Sequence, residues 1–262
     1  MDALTLGRQA LYSYKALFGW LNWPAYISTI VFRPAFVVAI FGLTAEFARG
    51  PDAADRYVIG MTAFAIPHIL MGAVLQSFAS ERAFSTLGFL FASTGNRFQA
   101  YVSRALLHYP NAMCTVASSV VFALIFLGTD FEAANWALVI ATYLLMIATT
   151  LTYGLFLGNL AIAFRDWQVS FNIMQAVFMS LTGAVIPLAS LPIGLRQLAE
   201  CLPVTHGLQA LRDAYAGASF ATVSDNLMLE AVVGLAYLSA GYVGFRLVEV
   251  YARRTGAYET TR

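Results

Sequence analysis

Six stretches of about twenty or more mostly apolar residues follow one another along this chain, near 26–47, 57–78, 105–128, 135–164, 169–187 and 227–250. Each is long enough, as a helix, to cross the ~30 Å hydrocarbon core of a bilayer. Only 11% of the 262 residues are charged and 60% are hydrophobic, where soluble domains carry about 25% charged residues. The expected fold class is therefore an all-α integral membrane protein forming a single domain over 1–262. A net charge of +1 gives no reason to expect a nucleic-acid partner. Cys114 and Cys201 stand in unrelated surroundings and read as unpaired, and the N-terminus lacks the apolar core and cleavage site of a signal peptide.

Several runs carry internal marks. Residues 4–24 place Leu4, Leu11, Tyr14, Leu17, Phe18 and Leu21 at helical spacing, with Arg8 and Lys15 between and Trp20 and Trp23 at the end. That is the pattern of an amphipathic interfacial helix, or else of an ordinary first turn of the first span. Arg33-Pro34 lies in the first third of that span, where the arginine is expected to snorkel to the interface. Pro67-His68 marks a kink in the second, with His68 read as a packed or hydrogen-bonded side chain rather than a ligand. Residues 80–104 form a basic amphipathic connection with Arg82, Arg97 and Arg104, and the 135–164 run is long enough to tilt or project.

Basic residues set the orientation. With the N-terminus inside, Arg8, Lys15, Arg82, Arg97, Arg104, Arg165, Arg253, Arg254 and Arg262 are cytoplasmic, against Arg49, Arg56, Arg196 and Arg212 outside. The positive-inside rule then places both termini in the cytoplasm. It also puts the stretch from Gly183 to Gly217 on the outer face. That stretch is Pro-punctuated, too polar to span and too apolar for a free loop, so it is expected to lie at the surface or dip back in.

The absences narrow the chemistry. Lys15 is the only lysine and no Gly-x-x-x-x-Gly-Lys occurs, so the chain has no phosphate loop of that kind. His68, His108 and His206 stand on separate elements without ligand spacing, and neither Gly-x-Ser-x-Gly nor His-Glu-x-x-His is present. Charged residues within the spans look scarce, with His68 the one candidate for an ion relay, so an ion-coupled carrier is disfavoured and an outside energy source preferred.

Pro203-Val204-Thr205-His206, followed by Arg212 and preceded by Leu191-Pro192, resembles the signature of the ABC-2 type transporter permeases, with Val204 where Leu, Ile, Met or Phe is usual. Glu81-Arg82-Ala83-Phe84-Ser85-Thr86-Leu87 is similar to the family's Glu-x-x-x-Gly-Thr-Leu, with Ser85 in place of Gly. The resemblance implies an amphipathic N-terminal helix, six spans, a cytoplasmic coupling helix after the second (81–100) and re-entrant helices between the fifth and sixth (188–217). It also implies a homodimer in the bacterial cytoplasmic membrane, working with two copies of an ATP-binding ABC subunit. ATP and Mg sit on that partner, and this chain is not itself an enzyme.

In that scheme Glu81, Arg82, Phe84 and Leu87 contact the ATPase subunit, or form a solvated charged face. The pathway runs along the first, second and fifth spans, with Phe171, Asn172, Gln175 and Met179 on the fifth. Asn172, Gln175, Met179 and Thr182 share one helical face, which suits either a lining or interhelical hydrogen bonds. Pro192, Pro203, His206 and Arg212 make the re-entrant signature, the last two as caps holding its turns or as groups at the exit. An amphipathic or lipid-like cargo is expected, either a drug or natural product or a lipid-linked glycan. The rivals from other classes are a membrane-embedded lipid-modifying enzyme, which needs polar groups gathered at one depth, and the ion-coupled carrier.

Overall fold

The computed structural model describes residues 23–83, 96–129, 131–163 and 167–255, and every regular element among them is helical. Five helical stretches are long and apolar enough to cross a membrane: Trp23–Ala48, Ala54–Ser80, Arg97–Phe126, Trp136–Asn159 and Phe220–Tyr251. The expected interfacial helix of 4–24 and most of the coupling segment of 81–100 lie outside the described residues.

The first rod joins α1 (Trp23–Ile27), a π-helical turn (Ser28–Phe32) and α2 (Arg33–Arg49). Pro34 explains the turn. It has no N–H, so the Ile30 carbonyl four residues back loses its helical partner. The turn widens until Arg33 N–H reaches Ser28 O, and the Ile30 carbonyl accepts Thr115 Oγ1 at 3.2 Å and Ser118 Oγ at 3.4 Å. Both hydroxyls come from another helix, Tyr109–Phe126.

α3 (Pro51–Ala83) is the axis of the bundle, 33 residues and about 50 Å long. Val58, Ile66, Leu70, Met71, Val74 and Phe78 are all fully buried, so this helix is apolar on every side because neighbours surround it. α4 (Arg97–Leu106) is amphipathic and N-capped by Asn96, whose side chain accepts the Gln99 N–H. Its Tyr101 stacks on Phe78 at 4.0 Å and donates to Leu155 O at 2.7 Å. Gly158 makes room, since a Cβ there would come within 2.5 Å of both Phe78 and the Tyr101 hydroxyl. α5 (Tyr109–Phe126) follows a short break, with Pro110 in its first turn.

α6 (Trp136–Ala163) and α10 (Phe220–Thr255) pack along one another through glycines of α10. Gly234 faces Thr149, Gly241 faces Leu155 and Phe156, and Gly244 faces Asn159, whose amide donates to Gly241 O at 3.1 Å. Small residues let membrane helices approach closely where burial from water cannot drive them together.

α7 (Trp167–Leu181) covers most of the expected fifth span of 169–187, and residues 164–166 before it lie outside the described residues. Its described helix has 15 residues, about 22 Å, and is not among the five long enough to cross. It stops because Gly183 turns at φ +86° and Pro187 cannot continue a helix. A 3₁₀ turn (Leu188–Ser190), α8 (Ile193–Glu200) and α9 (Thr205–Tyr215) then precede α10. The bundle thus has an α9 end, where α3 begins, and an α4 end, where α3 finishes.

The Gly183 turn presses against α3. A Cβ on Gly60 would overlap the Ala184 carbonyl oxygen, which is backbone and cannot swing aside. Gly60→Ala is expected to destabilise the purified protein by about 1–3 kcal/mol, read as a lowered unfolding temperature in detergent. An exposed helix position would gain about 1 kcal/mol from the same change, so the sign tests the contact.

Candidate functional site

Two polar places are built into the described bundle. The first lies midway along it, on α2, α3 and α7. His68 is within about 2 Å of the middle of its span and Arg33 within about 4 Å of the middle of its own, counting 1.5 Å per residue. The Gln175 side-chain amide donates to His68 Nδ1, which leaves the ring proton on Nε2. Phe64 and Phe171 flank the imidazole with ring centroids 6.0 and 6.2 Å away. Gly72 provides the space for Phe171, because a Cβ there would lie 3.1 Å from its ring. Arg33 is exposed, lies within electrostatic reach of His68 and pairs with no carboxylate among the described residues.

Of the expected pathway residues, the structure thus brings Phe171 and Gln175 to His68. Asn172 lies exposed one turn before Gln175, and Met179 is half-buried against the core. Arg33 lies nearer the middle of the Trp23–Ala48 stretch than of the 26–47 run, and its side chain is exposed, which leaves it room to reach toward the interface. His68 and Gln175 are bonded, with Arg33 in electrostatic reach of the imidazole and Asn172 on the same helix as Gln175. That group contains no carboxylate, thiol or hydroxyl, so only the histidine could move a proton.

The second place is the connection between α7 and α10. α8 lies outside the core, with Ile193 79% and Leu198 59% exposed, whereas α9 is buried along most of its length between α3, α6 and α10. Pro192 is the N-cap residue of α8. Pro203 leads into Val204, which has φ +77° and caps α9. A β-branched residue in the left-handed region is strained and persists only where surroundings hold it.

The holding group is Glu230 of α10, 0% exposed. Its Oε1 accepts Val204 N–H at 2.8 Å and the Thr149 hydroxyl at 2.5 Å, and its Oε2 accepts Gly207 N–H at 2.9 Å. A helix N-terminus presents unpaired N–H groups and partial positive charge, and a carboxylate answers both. His206 and Arg212 also serve backbone: His206 Nε2 donates to Glu200 O at 2.9 Å, and Arg212 Nη2 to Gly183 O at 2.8 Å. Burial, and then the nearby Arg56, bring the Arg212 guanidinium down to about 10, so it remains a cation at neutral pH.

Glu230 and Glu249 are two further buried ionisable groups, both within the expected sixth span, that the sequence reading does not single out. Glu249, 3% exposed and nineteen residues further along α10, accepts Arg97 Nη1 at 2.6 Å and Arg246 Nη1 at 3.1 Å. The available signal was a carboxylate inside an apolar run, but its partners are on distant elements that spacing does not reveal. Among the coupling residues, Glu81 and Arg82 fall in the last turn of α3, while Phe84 and Leu87 lie outside the described residues.

A family model described as ABC-2 type transporter matches residues 9–215. The chain is also 26% identical over 219 residues to the capsule polysaccharide export inner-membrane protein CtrC of Neisseria meningitidis serogroup B, covering 79% of this chain and 80% of that protein.

Glu230 gives the sharpest test of the second place. Glu230→Ala strands two buried backbone N–H groups and a hydroxyl, and is expected to cost about 3 kcal/mol or more of stability. Thr149→Val, which removes one donor and leaves the carboxylate bound to α9, should cost about 1 kcal/mol. Thermal unfolding of the detergent-purified variants checks the order, and equal losses would remove the special role of the carboxylate.

Proposed function

The chain belongs to the ABC-2 type transporter family, and from that premise we propose that it is the permease of an ATP-driven exporter that carries a lipid-linked glycan outward across the bacterial cytoplasmic membrane. The likeness to a capsule polysaccharide export protein over about four-fifths of both chains carries the choice of glycan over drug or natural product. In this reading two copies of the chain form a homodimer, and two ATP-binding subunits dock from the cytoplasm. ATP and Mg are bound by those partners. Both termini are cytoplasmic, and the α8–α9 segment faces out.

The chemistry of the spans supports an outside source of energy. A carrier driven by protons or sodium needs a carboxylate or histidine that takes up and releases the ion within the membrane, and His68, bonded to Gln175, is the one histidine in the polar group on α2, α3 and α7. Glu230 already accepts three donors through its two oxygens, and Glu249 is held by two arginines. Neither is free to cycle.

The pathway in this reading runs along α2, α3 and α7. Arg33, His68, Asn172 and Gln175 offer hydrogen bonds and charge at mid-depth, with Phe171 as an apolar face for the cargo's rings or lipid. ATP-driven closure of the partners reaches the bundle through residues 81–92, where Glu81 and Arg82 form ion pairs and Phe84 and Leu87 fill pockets on the ATPase.

Affinity purification of the tagged chain from its own membranes tests this first. A P-loop subunit is expected to come with it, and the complex to split ATP. Alanine at Glu81 and Phe84 should then lower export about tenfold or more while hydrolysis persists, because each removes contact area or charge without touching the ATP site. A chain that purifies alone, with no ATPase activity following it, refutes the exporter reading.

A further inference from the structure

We propose that α10, with α6 packed along it, is a strut that ties the cytoplasmic coupling region to the α8–α9 segment, and that Arg97, Glu249 and Glu230 are its positioning residues. This rests on the exporter reading for what the strut moves, but its geometry stands apart from that reading.

The lipid-like exposure of α10 makes its two exceptions informative. Most of its apolar side chains lie open, among them Met228, Leu235, Val243 and Leu247, yet Glu230 and Glu249 are buried. Nineteen residues separate them in an unbroken helix, about 28 Å, close to the thickness of the hydrocarbon. Each glutamate grips a different helix. Glu249 holds Arg97, the first residue of α4, which lies within the expected 81–100 coupling segment. Glu230 holds the first turn of α9.

Between these grips the strut has little freedom to bend. Gly234, Gly241 and Gly244 seat α10 on α6, and Asn159 bonds across to Gly241 O. α4 is fastened to the same pair a second time, through Tyr101 on Leu155 O and through Phe98 and Tyr101 against Phe245. α9 is likewise fastened twice, since Gly207 lies against Met146 of α6 while its N–H is held by Glu230. A displacement of α4 must therefore shift or tilt the α6–α10 pair, and the far end of that pair carries the strained Val204 turn. Coupling of this kind travels through packed elements whose two ends are both fixed to them.

The chain holds its own probe. Cys201 is exposed and stands three residues before Val204, and the other cysteine, Cys114, is on α5. In a Cys114→Ser background, the rate of maleimide labelling at Cys201 reports on the α9 end of the strut. Arg97→Gln breaks the grip at the α4 end and leaves Arg246 to satisfy Glu249. It is expected to change the Cys201 rate about threefold or more across the length of the bundle. In the complex it should also abolish the change that ATP produces at Cys201. Arg97→Lys, which keeps the charge, should restore both.

A Cys201 rate and ATP response that stay at the wild-type values in Arg97→Gln overturn the strut and make the ion pair a local anchor. The same holds if ATP leaves Cys201 unchanged in a wild-type complex that hydrolyses it. Should Arg97→Gln not fold, Glu249→Asp, which withdraws the carboxylate by one methylene, replaces it with the same two outcomes. Lack of an ATPase partner sinks the exporter reading alone, because the comparison without ATP still decides the strut.

Discussion

Hydrocarbon offers no hydrogen bonds, and a helix that begins inside a membrane bundle brings several unpaired N–H groups into it. α9 begins in this way, buried among α3, α6 and α10. One buried carboxylate resolves the problem, because Glu230 can accept from two backbone positions with separate oxygens and still take the Thr149 hydroxyl. Its charge is offset in part by the helix end it caps. Without that group the strained Val204 turn would lose its support, and two N–H groups in the first turn of α9 would be left unpaired within the bundle.

The same rule sorts the other polar side chains by what they serve. Thr115 and Ser118 answer the carbonyl freed by Pro34, Arg212 answers Gly183, and His206 answers Glu200. These groups are occupied by the chain's own backbone. The mid-depth group differs, since the His68–Gln175 bond joins two side chains, Asn172 is exposed, and Arg33 meets no carboxylate among the described residues. An exposed guanidinium held at the centre of a bilayer would cost about 2.5–3.5 kcal/mol on insertion scales, which its long side chain can lessen by reaching toward the interface. In the proposed exporter these less committed polar groups are the ones offered to the cargo.

The spans were legible because their signal is local. Runs such as 135–164 and 57–78 announce helices through composition alone, and α6 begins at Trp136, one residue into the first of them. The segment at 188–217 was legible through its prolines, which stop helices wherever they fall, and both α8 and α9 lie within it. Glu230 was not legible, since a glutamate a few residues into an apolar run looks like a span end, and only the fold brings Val204 and Gly207 to it. The end of α7 at Leu181 was not legible for a related reason. Its apolar residues continue to Pro187, whereas the helix yields at Gly183 to a turn that packs on Gly60.

Charge inside a membrane protein is often read as a sign of ion movement, and here its geometry argues the reverse. An ion site must bind and let go, which requires a carboxylate whose alternative state is nearly as comfortable as its first. Glu230 released from α9 would leave two N–H groups and a strained turn unsupported, and Glu249 released from Arg97 would leave a cation half-buried beside it. Both glutamates are therefore fasteners. Buried carboxylates committed to fastening are unsuited to cycling an ion, which agrees with the proposed exporter driven by a partner. In that reading the basic, amphipathic α4, tied to α10 by one of those fasteners, is where the force would enter the frame.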